Sequence, residues 1–539
     1  MPSSFAAPVR LNASIEHPIR RGLERETLRT APDGTLALTP HPSALGSKLA
    51  HPHITTDFSE AQLELISGIC PTPANLIGEM RAIHACVYSG IGAELLWPAS
   101  MPSELPAADS AIPLALYGTS NAARTKTTYR NGLGLRYGRA MQTICAVHYN
   151  VSFTNDVFEA LAEAEGVQNS QPFRDEKYFN LMRNFRAVSW LVVYLFGASP
   201  AVSDSFVTGR ANDFERLTSG TLHLPHATSL RCGGLGYQSD IQARHLHVLY
   251  NNLGEYVRSL AGAITEPYPA YASLGEDTDS PAQLNHCILQ SEAEFYSSVR
   301  AKRVANGNHS GLAALAGDGV EYIEVRLLDI DPKSELGVSE ETLHFMDTLL
   351  TWCLLTPAEP HDAARSEEIS VNVATTVKRG REPGITLSDR GEQKGLADWG
   401  SALLEELAPI AAWLDSASDD APHGAALAAQ QARLTDPDAT PSAQMIGELA
   451  ANNLSFNEWA LRLAERHRDA LQVPVDPATS SRFDRLATES LGAQAMADAA
   501  KEPLTLAAHL QVLQHGYAEL LADEPRAAAP ADEIGRAHV

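Results

Sequence analysis

Basic residues are scarce in this chain: 41 lysines and arginines stand against 66 acidic residues, for a formal charge of −25. That field repels DNA, RNA and anionic membranes, so neither a nucleic-acid nor a membrane partner is expected. Any phosphate must then be handled by a local positive cluster or by metal ions. Cysteine is also sparse. The six, Cys70, Cys86, Cys145, Cys232, Cys287 and Cys353, are dispersed with no C-x-x-C pair and no zinc spacing, which excludes a disulfide scaffold and points to reduced thiols. The longest apolar run, Val188–Ala198, is about half of the roughly 20 residues that a spanning helix needs. With no apolar segment and cleavage site in Met1–Arg10, a cytoplasmic protein is expected. H-E-x-x-H, G-x-S-x-G and Ser-x-x-Lys give no convincing match and no Walker A loop is present, so zincin, serine-hydrolase and P-loop chemistries lack support.

What is there is a globular composition, 44% hydrophobic and 20% charged over 539 residues, able to bury a large core. Up to about residue 390, strand-like and helical stretches alternate. Beyond it, Leu396–Leu414, Gln444–Leu471, Arg482–Ala500 and Leu504–Leu521 carry apolar residues at helical spacing, separated by linkers such as Ser416–His423 and Val473–Ser481. The division expected is a sheet-containing catalytic core over 1–390, a helical part over 391–522 packed on the same domain, and a disordered tail, 523–539.

Several strands of the first part have one apolar and one polar face. In Met141–Phe153, read as one strand, Gln142, His148 and Asn150 share the polar parity. In Glu321–Ile330, Ile323, Val325 and Leu327 oppose Tyr322, Glu324 and Arg326. In Arg21–Arg29, Glu24 and Glu26 point the same way only if the segment is extended. Two adjacent carboxylates repel unless a cation lies between them, so the pair argues for a divalent metal or a shared proton, against a solvated face flanked by Arg21, Arg25 and Arg29. Ile54–Ser67 adds Asp57, Glu60 and Glu64; Asp57 and Glu64 fall on opposite faces of an ideal strand, so a bulge or bend is required to aim both inward. Glu60 is expected to be an exposed charge.

Between Asp109 and Asp156 there is no acidic residue, yet Arg124, Lys126, Arg130, Arg136 and Arg139 lie there, a positive island suited to an anionic ligand. Within it, Asn131–Gly138 reads as a glycine-rich loop whose spacing misses the dinucleotide fingerprint by one residue. Carboxylates, one histidine, arginines and amides on strands are the equipment of metal-assisted phosphoryl transfer.

On these residues the chain resembles the proteobacterial type of glutamate-cysteine ligase. The motifs are RGLERETLR (Arg21–Arg29), ITTDF (Ile54–Phe58), YGTSN (Tyr117–Asn121), Arg136–Asn150, YLFGASPA (Tyr194–Ala201), ATSLR (Ala227–Arg231), LGY (Leu235–Tyr237), EYIEVRLLDI (Glu321–Ile330) and GREPGITL (Gly380–Leu387). The resemblance spans about residues 10 to 390. It implies an α+β fold like that of glutamine synthetase, a curved, mainly antiparallel sheet forming a funnel surrounded by helices. It implies ATP-dependent ligation of the L-glutamate γ-carboxylate to L-cysteine through γ-glutamyl phosphate; the alternative is a related carboxylate-amine ligase with a different acceptor. It assigns Glu24, Glu26, Asp57, Glu64, His148 and Glu324 to two or three Mg²⁺ ions, which Mn²⁺ could replace. Glu324 and Arg326 would be catalytic. Gln142, Asn150, Arg231 and Arg326 would contact substrate and phosphate, and Phe58, Tyr129, Leu133, Tyr237 and Tyr296 would line the cysteine pocket. Adenine contacts are not assigned. A fusion to glutathione synthase is disfavoured, and a monomer is compatible with the sequence, which leaves oligomeric state open.

Overall fold

Alternation of apolar and polar residues decides which face of each strand is buried, and the main sheet follows that rule closely. The computed structural model describes residues 9, 11, 15–210, 212–236, 239–275, 281–305, 310–417 and 420–522. In chain order the strands are β1 (Ile19–Thr30), β2 (Ile54–Thr56), β3 (Gln62–Ile66), β4 (Leu95–Leu96), β5 (Val147–Phe153), β6 (Ala201–Ser203), β7 (Glu215–Thr218), β8 (Thr221–His223), β9 (Val299–Lys302), β10 (Tyr322–Leu328), β11 (Thr386–Asp389) and β12 (Glu392–Gly395). The main sheet runs β2-β3-β1-β5-β10-β9, with β4 paired to the far end of β1, and every pairing is antiparallel. A smaller sheet, β6-β8-β7, and the hairpin β11-β12 stand apart.

On the core side of the main sheet lie Leu23, Val147, Tyr149, Val151, Ile323 and Val325, none of them accessible to solvent. The helices Gln171–Phe196 and Glu340–Leu355 cover this side and pack on each other. All but the last two residues of the run Val188–Ala198 thus belong to the buried end of a helix, and among the described residues no helix is long and apolar enough to cross a membrane. All six cysteines are buried and free.

The structure corrects five sequence readings. Met141–Phe153 is not one strand: Met141–Thr143 is a 3₁₀ turn and β5 starts at Val147, so alternation does not place Gln142 with His148. Asn131–Gly138 is not a glycine-rich loop but the second half of the helix Asn121–Tyr137, capped by Ser120, whose Oγ accepts from Ala123 N. Its glycine is there for contact: a Cβ on Gly132 would run into the side chain of Gln290. A bulge between Val325 and Leu328 turns Leu327 off the apolar face and puts Leu328 on it. Glu60 is buried, not exposed; it pairs with Lys48 and accepts from His41 N (2.7 Å) and Leu116 N (2.7 Å). Finally, neither Ser416–His423 nor Val473–Ser481 is wholly a linker, since the helices Pro422–Thr435 and Pro477–Ala499 begin within them. The segments Leu396–Leu414, Pro441–Asn452, Phe456–Leu471, Pro477–Ala499 and Leu506–Ala522 are helices. The tail 523–539 lies outside the described residues.

Candidate active site

β1 sits between β3 and β5, so its even-numbered face faces partners on both sides. The register sets Glu24 against His148, Gly22 against Asn150, and Glu26 against Glu64. On the next strand Glu324 pairs with Asn150, and beyond it with Arg300 of β9. Directly paired residues of antiparallel strands point to the same side, so five strands deliver their polar residues to one patch. Asp57 reaches it differently. It follows β2 in the turn to β3 and donates its N–H to Gln62 O (3.0 Å), so a hairpin, not a bulge in one strand, brings it near Glu64.

The distances are short. His148 Nδ1 lies 3.3 Å from Glu24 Oε2 and 3.8 Å from Glu324 Oε1, and its Nε2 is 3.7 Å from Glu26 Oε1. Asn150 Nδ2 donates to Glu24 Oε1 (2.7 Å), and Arg326 Nη1 to Glu324 Oε1 (2.8 Å). One donor atom each from Glu24, Glu64 and His148 lies within 4.8 Å of the others. The arginines that raised the prospect of a solvated strand face lie on the opposite side of β1: Arg21, Arg25 and Arg29 are 4%, 1% and 0% exposed.

Electrostatics splits the carboxylates into two groups. Burial, with the charges of Asp57 and Glu64, pushes Glu26 well above the usual carboxyl range; burial with Glu24 and Asp57 pushes Glu64 up to about 8. Glu324 goes the other way: burial opposes ionisation, but Lys302, Arg326 and Arg300 hold its carboxyl well below that range. Glu24 is also lowered: burial opposes ionisation, but the hydrogen bond with His148 and the charges of His148 and Lys302 together overcome it, and His148 itself is lowered by burial and by Arg326. The Glu26–Glu64 end is therefore short of positive charge.

Divalent metal fits these residues. Hard cations take oxygen donors, and the cluster supplies carboxylates plus one imidazole. Two further acceptors, Glu324 Oε2 and Asn150 Oδ1, are buried without a hydrogen-bond donor among the described residues. Glu324 Oε2 has only the longer ion pairs with Lys302 and Arg300, and an unpartnered oxygen such as Asn150 Oδ1 is costly unless a cation or ligand uses it.

The other expected residues are placed as follows. Arg231 donates its Nε to Asp329 Oδ1 (2.7 Å) and Nη2 to the carbonyl of Arg326 (3.1 Å), which sets it beside β10. Gln142 donates to Met141 Sδ (3.0 Å) and the Tyr296 hydroxyl (3.3 Å). Tyr129 and Leu133 lie on the helix Asn121–Tyr137; Phe58 and Leu133 are largely core, at 1% and 8% exposure, while Tyr129 and Tyr296 are half-buried. Tyr237 lies outside the described residues. Of the positive island, Arg130 borders the site, its Nε donating to the Asp57 carbonyl and its guanidinium stacking 4.6 Å over the Tyr117 ring; Arg136 is instead consumed in a buried pair with Glu294.

Three residues near the patch were missed. Arg300 and Lys302 of β9 lie 3.8 and 3.6 Å from Glu324 Oε2, and their shared parity in Val299–Lys302 was the available signal. Asp329 fixes Arg231 while accepting from Ala198 N, Ser199 Oγ and Ser229 Oγ at 2.6–2.9 Å. No local pattern marks it, because its four donors come from two stretches of chain, 198–199 and 229–231, both far from it in sequence.

Comparison with known proteins shows what the whole chain is similar to. The family model described as glutamate-cysteine ligase matches residues 10–376. The chain is 44% identical over 477 residues to the glutamate–cysteine ligase of Pseudomonas paraeruginosa, covering 88% of this chain and 90% of that one. The corresponding figures for the Janthinobacterium enzyme are 43% over 478 residues, 88% and 90%. The structure superposes on the glutamate–cysteine ligase of Francisella tularensis in complex with AMP with a TM-score of 0.87 at 30% identity, covering 93% of this chain and 99% of that chain. A bifunctional glutathione synthetase from Pasteurella multocida shares the fold at 22% identity (TM-score 0.66; 87% of this chain, 55% of that one). From its sequence, its sheet and the residues gathered on it, the chain belongs to the glutamate-cysteine ligase family.

Proposed function

We propose how the polar face of the sheet carries out the family's reaction. The chain joins L-glutamate to L-cysteine in an ATP-dependent reaction that gives γ-glutamylcysteine, the first step of glutathione synthesis. The observation that carries the assignment of roles is the register, which gathers Glu24, Glu26, Glu64, His148 and Glu324 on one side of four adjacent strands.

In this reading Glu24, Glu64 and His148 would hold one Mg²⁺ or Mn²⁺, and Glu26, Asp57 and Glu324 one or two more. Bound there, the ions supply the positive charge that offsets ATP phosphates and the glutamate γ-carboxylate. Arg326, steered by its 2.8 Å contact with Glu324, presents a planar fork to the transferring phosphoryl group. Arg231, fixed by Asp329, binds oxygen of the same group or of glutamate, and the amides of Gln142 and Asn150 orient the substrate. Tyr129 and Tyr296 face the acceptor, backed by Phe58 and Leu133, and the resemblance alone adds Tyr237 to that pocket. The γ-carboxylate takes the phosphoryl group from ATP, releasing ADP; the cysteine amine then attacks the acyl carbon and phosphate leaves with one carboxylate oxygen. Each chain carries a whole set of these residues, so a monomer suffices, and the buried free thiols suit a reducing cytoplasm whose product is itself a thiol.

Oxygen accounting tests the mechanism. Glutamate labelled with ¹⁸O in its γ-carboxylate should pass label to inorganic phosphate during turnover. Unlabelled phosphate alongside genuine γ-glutamylcysteine would rule out the acyl phosphate.

A further inference from the structure

Behind the catalytic sheet, a second group of ligating side chains converges that the reaction does not use. His344 and Asp347 lie three residues apart on the helix Glu340–Leu355, and His423 opens the helix Pro422–Thr435. His423 Nδ1 meets Asp415 Oδ1 at 2.6 Å, and Asp415 also accepts from His423 N (3.0 Å) and Gly424 N (2.8 Å). That contact assigns the ring proton to Nδ1 and leaves Nε2 as a lone pair. Nε2 points inward, 3.4 Å from His344 Nδ1 and 3.9 Å from Asp347 Oδ2. One donor from each residue lies within 4.8 Å of the others.

We propose that His344, Asp347 and His423 bind a borderline divalent transition ion, with Zn²⁺ as the representative, at a site distinct from the Mg²⁺ face. Tetrahedral zinc with bonds of about 2.0–2.1 Å sets its ligand atoms roughly 3.4 Å apart, so the observed separations need only modest closure. Two imidazoles favour zinc, cobalt or nickel over magnesium. A carboxylate on the far nitrogen of a ligating histidine, as Asp415 is on His423, is the usual outer-shell partner of such a ligand. Asp347 already accepts from Arg21 (Nη2, 2.6 Å) and the Tyr149 hydroxyl (2.6 Å), so the ion would share an anchored carboxylate. Glu340 lies 3.6 Å from His344 Nε2 and adds negative charge, while His344, 13% exposed at its side chain, gives a way in. The ion would tie the two helices together behind β1 and β5, which carry Glu24 and His148. Without it, the two imidazoles share a hydrogen bond.

Cobalt distinguishes the two states. Chelator-treated full-length protein, with Mg²⁺ in excess, is titrated with Co²⁺ and followed by visible and X-ray absorption. The expected result is one Co²⁺ per chain with tetrahedral d–d bands and two imidazole nitrogens. The bands should be lost in His344→Gln and His423→Ala and kept in His148→Ala. Failure to bind Co²⁺, or bands that persist in His344→Gln and vanish in His148→Ala, overturns the site. Should the variants fail to fold, the wild-type absorption edge decides alone, because the catalytic cluster offers a single histidine and the proposed site two.

Discussion

Glu64 shows the want of positive charge on the polar face of the main sheet as a pH effect. A carboxyl whose pKa is raised by folding keeps its proton where the unfolded chain has lost it. Its contribution is therefore full at low pH and is lost as pH climbs towards the folded value. Glu64, pushed up to about 8, and Glu26, pushed well above the usual carboxyl range, both act in this sense. His148, lowered by burial and by Arg326, acts oppositely, as do other histidines lowered by burial such as His84 and His467, until the unfolded imidazoles have lost their protons at about pH 7.5. Between about pH 7.5 and 8.5 the metal-free protein should lose stability with rising pH, by about 1.4 kcal/mol per pH unit for each proton involved. Saturating Mg²⁺ should flatten the profile, and Glu64→Gln should make it shallower; a metal-free Tm that does not fall over this range would refute the account. Arg326 gives a second test at this scale. Lysine keeps the charge but cannot present a planar fork, so Arg326→Lys should cost at least about tenfold in kcat, in steady-state assays with all three substrates saturating. Wild-type turnover would remove Arg326 from the site.

At the scale of elements, the helix Asn121–Tyr137 shows how contact overrides propensity. Glycine to alanine inside a helix normally stabilises by roughly 0.5–1 kcal/mol, and at Gly78, whose added Cβ meets nothing within 4 Å, that gain is expected. At Gly132 the Cβ would strike Gln290, which is buried and engaged with Leu284 N and the Tyr129 carbonyl. Gly132→Ala should instead destabilise by about 1–3 kcal/mol, as overpacking does. Thermal unfolding of the two variants side by side decides it: equal gains would mean that Gln290 yields freely. The same helix explains why its glycines misled. Their spacing resembles a ligand loop, and only the packed neighbour reveals that they make room for a side chain.

For the whole molecule, the C-terminal helices reach back to the site. Asp498, near the end of the helix Pro477–Ala499, accepts from Thr119 N (2.7 Å) and Ser120 N (3.0 Å), and Glu502 accepts from Asn121 N (2.6 Å). These carboxylates satisfy backbone donors at the start of the helix that carries Tyr129 and Arg130. Replacing both, as Asp498→Asn with Glu502→Gln, should cost about 1–2 kcal/mol and raise the KM for cysteine more than it lowers kcat. Unchanged kinetics would make the contact purely structural.

By itself the sequence determined the two-faced strands, the acid pair of β1, the helical character beyond residue 396 and, through several motifs in series, the family. Those features are local: period-two and period-3.6 patterns survive in any context that buries one face. Only the tertiary structure decided what lies across from what. The hairpin that carries Asp57 to Glu64, the burial of Glu60 against Lys48, and the bulge that moves Leu328 onto the core face arise from pairing between distant segments. Asp329, whose donors come from Ala198, Ser199, Ser229 and Arg231, is the extreme case. No single stretch of chain encodes its role, because a buried carboxylate takes its function from the donors that folding brings to it.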